Sequence, residues 1–83
     1  MFEEEQEQKE KKEFLYKLGK HIQKLRKEKG ITGSELARRC FMERSNIKRL
    51  EKGEFSPTLY YLSKICRGLN ISLKDFLKEF EER

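Results

Sequence analysis

The chain has no tryptophan, one proline and one histidine, and only two cysteines among its 83 residues. So few turn-formers, beside so much Lys, Glu, Arg and Leu, favour helices over strands. Cys40 and Cys66 belong to no C-x-x-C, and His21 stands alone, so no metal-ligand spacing is present. Both cysteines therefore read as small apolar core residues. His21, in a charged helix face, reads as surface. No apolar run approaches the roughly 20 residues of a membrane span. No charged-then-apolar leader opens the chain, so a cytoplasmic protein is expected. No nucleophile–base set and no phosphate-cradling glycine loop occurs, so an enzyme is not expected, and neither is a cofactor. With no second domain to hold one, no small-molecule ligand is expected either.

What is abundant is charge. Charged residues make up 42% of the chain and apolar ones 35%, which bounds the molecule to one small domain with a modest core. The net charge of +5 is unevenly spread. Residues 1–13 hold six Glu against three Lys, whereas residues 14–74 hold fifteen Lys/Arg against five Glu. The central block is thus far more basic than the total, and a polyanion such as nucleic acid is its natural partner. A helical protein with solvated Lys/Arg faces has the same composition, and charge alone does not separate the two.

The first segment, EEEQEQKEKKE over residues 3–13, contains no apolar residue. It is either a solvated helix, supported by pairs such as Glu5–Lys9 and Glu7–Lys11, or disordered. Residues 1–13 are accordingly set apart as a charged extension, and residues 14–83 as the folded domain. Leu15, Leu18, Ile22 and Leu25 step by three and four residues along one helical face, and Gly30 closes that helix. Thr32, with Glu35 three residues on, is a capping box for a second helix that buries Leu36, Ala37 and Cys40. A third helix ends at Gly53. Thr58 caps a fourth, with Leu59, Leu62, Ile65, Cys66 and Leu69 on its inner face. Asn70 suits a left-handed position. Ser72 caps a fifth helix, with Asp75 in the box position, whose stripe is Leu73, Phe76, Leu77 and Phe80. No internal repeat and no strand signal is present.

The third helix divides cleanly on a wheel of 100° per residue. Arg44, Ser45, Lys48, Arg49 and Lys52 fall within an arc of about 140°, while Asn46, Ile47 and Leu50 lie opposite, with Glu51 at the edge. Soluble surface helices usually mix signs; this arc is purely cationic. Such a helix fits the major groove, where Arg pairs with guanine edges and neighbouring cations meet phosphate.

With these features in order, residues 18–77 resemble the Cro/lambda-repressor-type helix-turn-helix family, also called XRE. The pieces that carry the resemblance are LR…KG at the end of the first helix, ELA in the second, ERSNIKRLEKG in the third, then P-T-L…L…I and ISLKDFL. The resemblance implies an all-α, five-helix lambda-repressor-like bundle with a helix-turn-helix, its first helix able to extend towards the N-terminus. It implies a double-stranded DNA-binding transcriptional regulator, with residues 44–52 in the major groove. Arg44, Ser45, Lys48 and Arg49 match base-reading positions. Thr32, Gly33, Ser34 and Lys52 match phosphate-facing ones. Arg26 and Glu51 match a structural ion pair. The family usually dimerises through the last helix, so Phe76, Leu77 and Phe80 are the expected homodimer interface. An alternative is a protein-interaction module, for example antitoxin-like, in which DNA contact is secondary. Two positions depart from the family pattern: Gly33 stands where Gln is common, and Phe41 stands where the turn commonly has Gly.

Overall fold

A single unbroken helix, α1 (Phe2–Glu28), dominates the chain and is followed by four short ones: α2 (Gly33–Arg39), α3 (Arg44–Glu51), α4 (Leu59–Gly68) and α5 (Leu73–Glu81). The computed structural model describes residues 2–81 and contains no strand among them. Met1, Glu82 and Arg83, at the outer ends of the expected extension and domain, lie outside the described residues. At 1.5 Å per residue α1 is about 40 Å long, which accounts for the 41 Å long dimension of the molecule. Residues 3–13 are helical and wholly exposed. The pairs Glu5–Lys9 and Glu7–Lys11 expected to support this segment do not close. Gln6 reaches Glu10 at 3.4 Å instead. Such exposed contacts are worth little, so their choice hardly affects stability.

The short helices start on side-chain caps. Thr32 Oγ1 accepts from the Glu35 amide at 3.1 Å, Thr58 from Tyr61 at 3.0 Å and Ser72 from Asp75 at 3.0 Å. The reciprocal half of the first box is diverted, because the Glu35 carboxylate takes Arg38 and Arg39 instead. Arg38 first, then Arg39, holds that carboxylate below its ordinary range. Arg39 also donates to the Gly68 carbonyl at 3.1 Å, which ties α2 to α4.

Four helices end in the same loop, the Schellman motif. After α2, the Met42 amide bonds to Ala37 O at 2.9 Å and the Phe41 amide to Arg38 O at 3.3 Å. The same crossed pair closes α1 at Gly30, α3 at Gly53 and α4 at Asn70. Each motif needs one residue at positive φ, and these four have φ of 68°, 57°, 76° and 57° in chain order. Gly and Asn tolerate this region; Phe does not, at a cost of about 1–2 kcal/mol. Phe41 recovers nothing by packing, since it is 90% exposed. Phe41→Gly should therefore stabilise the domain by about 1 kcal/mol net of the extra freedom glycine gives the unfolded chain. Thermal denaturation should show Tm rising by roughly 4–8 °C. A fall in Tm would mean that the ring makes a stabilising contact.

The core gathers the expected stripes: Leu15, Leu18, Ile22 and Leu25 of α1 against Leu36, Ala37 and Cys40 of the α2 end, Ile47 and Leu50 of α3, and Leu62, Ile65, Cys66 and Leu69 of the α4 end. Burial pushes both thiols up, Cys66 to about 11. Three expectations are corrected. His21 is buried, not at the surface, because α5 closes over it. Its Nε2–H donates to the Phe76 carbonyl at 3.3 Å, and its ring lies against Phe76 and Phe80. Phe76 is 0% exposed, so it belongs to the monomer core and offers nothing to a dimer partner. Leu77 and Phe80 keep some exposure. Leu59, expected inside, is the first residue of α4 and is 66% exposed.

No described helix is long and apolar enough to cross a membrane.

Candidate nucleic-acid interface

An eight-residue helix such as α3 does not persist alone in water. Here Ile47 and Leu50 are buried against the bundle, and α1 locks the helix end in place. Two devices make that lock. Glu51 receives Arg26 in a bidentate pair, with Nε to Oε2 at 2.7 Å and Nη2 to Oε1 at 3.0 Å. The third arm of Arg26 donates to the Ile31 carbonyl at 2.9 Å. Both side chains are largely buried, and hydrogen bonding to Glu51 raises the Arg26 pKa. Glu51, although part of the cationic helix, is therefore scaffold.

The second device is a close backbone approach. A Cβ on Gly19 would stand 2.5 Å from Glu51 O and 2.6 Å from Leu50 O. A Cβ on Gly53 would stand 2.9 Å from the Tyr16 amide nitrogen. The axis of α1 thus rests almost directly on the last turn of α3. Gly19 belongs to no motif, but it carries a signal in the sequence: a lone glycine inside a strong helical pattern costs about 1 kcal/mol against alanine and so asks for a reason.

Held this way, α3 turns its cations outward along two sides. Arg44, Lys48 and Lys52 line a groove of about 600 Å³ together with Thr32 and Gly33 at the start of α2 and with Tyr16, Lys20 and Gln23 of α1. Ser45, Arg49 and Ser34 lie outside that groove. Arg49 points towards the α3–α4 loop, where its Nε is 3.7 Å from Glu54 and its guanidinium lies 5.6 Å from the Phe55 ring centre. Arg44, Lys48 and Lys52 have no carboxylate partner among the described residues. Arg38 and Arg39 are occupied by Glu35. The basic residues thus differ in what they face: Arg26, Arg38, Arg39 and Arg49 lie against carboxylates of the fold, and Arg44, Lys48 and Lys52 do not. Chemically this is a surface for an extended anion. No set of three or more described His, Cys, Asp or Glu residues could hold a metal ion.

The helix-turn-helix family profile matches residues 22–76. The transcriptional regulator SinR of Bacillus licheniformis is 32% identical over 66 residues, which is 78% of this chain and 60% of SinR. An HTH-type transcriptional regulator of Methanothermobacter thermautotrophicus is 46% identical over 48 residues, 58% of this chain and 70% of that protein. Among solved structures, the restriction-modification controller protein C.Esp1396I, as a tetramer on its natural 35 base-pair operator, superposes with a TM-score of 0.79 at 30% identity, covering 83% of this chain and 91% of its own. The clp gene regulator ClgR of C. glutamicum gives 0.77 at 28% identity, covering 83% and 88%. Both sequence relatives are HTH-type transcriptional regulators. The chain belongs to the XRE-type (Cro/lambda-repressor) helix-turn-helix family of DNA-binding transcription regulators.

Proposed function

We propose that the protein is a sequence-specific regulator that lays α3 in the major groove of double-stranded DNA. Arg44, Ser45, Lys48 and Arg49 reach base edges. Thr32, Gly33, Ser34 and Lys52 meet phosphate, Gly33 through its backbone N–H alone. The observation that carries this is the cationic arc of α3, held rigid by Arg26–Glu51 with Arg44, Lys48 and Lys52 free of carboxylate partners among the described residues, while the two arginines of α2 share the Glu35 carboxylate. C.Esp1396I, solved in complex with its operator, supports binding to double-stranded DNA by similarity. We place the homodimer contact at the exposed part of α5, with Leu77 and Phe80 and without Phe76.

The test begins with a site selected from a random-sequence duplex pool. A symmetric consensus is expected for a dimer. Arg49→Ala should lose about 1–3 kcal/mol on that site, with little change on random DNA. If Arg44→Ala and Arg49→Ala both leave affinity for the selected site unchanged, α3 is not the reading element.

A further inference from the structure

The charged N-terminal part of α1 is no appendage to the interface. On a wheel of 100° per residue, Lys9, Lys12 and Lys20 fall within about 40° of Tyr16. Glu3, Glu4, Glu7 and Glu10 fall at least about 120° away. The segment is net acidic, yet four of its six glutamates lie off the face that carries Lys9 and Lys12, with Glu5 on that face and Glu13 at its margin, and that face is the one turned to α3. Tyr16 and Lys20 share the groove with Arg44 and Lys48. Lys9, Lys12 and Tyr16 line an adjoining hollow of about 1040 Å³, and Lys52 lines both. Cationic side chains therefore extend from α3 through Lys52 and out along α1.

Lys9, Lys12 and Lys20 have no carboxylate partner among the described residues. Two acids border the hollow, Glu13 and Glu54. Glu13 sits at the margin of the face, and Glu54 is drawn to Arg49 at 3.7 Å. Tyr16, 55% exposed with the Lys20 ammonium 5.5 Å from its ring centre, adds a hydroxyl donor in the middle of the row. Glu5 on the same face marks the outer limit. From Lys9 to Lys20 the row is about 17 Å long, the axial length of about five base pairs.

We infer that Lys9, Lys12, Tyr16 and Lys20 of α1 form a second DNA contact, a row that follows the phosphate backbone beside the base pairs read by α3. This rests on the proposed placement of α3 in the groove. The row supplies affinity and no sequence discrimination, because it meets only phosphate.

The test uses the full chain with Lys9→Gln, Lys12→Gln and Lys20→Gln combined, on a duplex carrying the selected site with at least six flanking base pairs on each side. Three phosphate contacts per protomer, six in the proposed dimer, contribute about −5.4 to the slope of log affinity against log salt. The loss of wild-type affinity between 50 and 200 mM salt should therefore shrink roughly 1,800-fold in the variant. A variant with Lys64→Gln, Arg67→Gln and Lys74→Gln removes the same charge from α4 and α5, and should change the slope far less. An unchanged slope in the α1 variant overturns the inference, and so does an equal change in the α4–α5 variant. Arg49→Ala on the same duplex separates the two readings. If it abolishes site preference while the α1 variant is unaffected, α3 placement stands and the α1 row falls. If neither it nor Arg44→Ala has an effect, the placement itself falls.

Discussion

Glu51→Ala should cost about 3–5 kcal/mol of folding stability, the usual penalty for removing one partner of a buried ion pair. The cause is not the lost attraction alone. Arg26 would keep its bond to Ile31 O but leave two N–H groups aimed at an empty site from which water is largely excluded. A domain of this size is stabilised by roughly 0.05–0.15 kcal/mol per residue, so the loss is a large share of the total. Denaturant unfolding should show the midpoint falling at nearly constant slope. A second variant identifies the mechanism. Arg26→Met with Glu51→Leu removes both charges and fills similar volume, and should recover most of the stability. A loss below about 1 kcal/mol in Glu51→Ala would place the pair with exposed salt bridges. DNA binding by surviving folded Glu51→Ala should also weaken, because α3 loses its tether to α1.

Gly19→Ala should be as severe, although it adds a single methyl group. Overpacking by a methylene usually costs about 1–3 kcal/mol, and more is expected here because the obstructing atoms are backbone. Leu50 O and Glu51 O cannot rotate away as a side-chain tip could. Only a shift of α1 from α3 makes room, and that shift stretches the Arg26–Glu51 pair. Alanine's better helix propensity returns about 1 kcal/mol at most. Gly33→Ala is the matching control, since nothing lies within 4 Å of a Cβ there. Circular dichroism melts of the two variants should diverge strongly; equal melts would show that α1 can move away at little cost.

Most of the bundle was legible because it is written in local signals. Leucine and isoleucine spacing gave the inner faces of α1 and α2, and Thr32, Thr58 and Ser72 gave helix starts. Asn70 was expected in a left-handed position and has φ of 57°. What was not legible depends on partners distant in sequence. His21 lies at the i+3 position from Leu18, inside the apolar face, but its polarity directed it outward until α5 arrived to cover it. Phe76 and Phe80 share a stripe, and only tertiary packing decides that the first is fully buried. Leu59 carries the spacing of an inner residue but stands at the outer end of α4, where it is exposed. At the candidate interface, α3 was readable because its charge is concentrated in eight residues. The α1 row was not, because Lys9, Lys12 and Lys20 are diluted by acids that occupy another face.

The four Schellman closures bear on how quickly the chain finds this structure. Each sets where a helix stops by bonds spanning only six residues, so no helix length waits on the docking of a distant one. The connections are short, the longest running from Lys52 to Thr58. What remains is a search among segments whose ends are already fixed. Topologies of this low contact order fold in microseconds to milliseconds. Phe41 is the one closure with an intrinsic handicap, and it lies between the two helices that give the family its name.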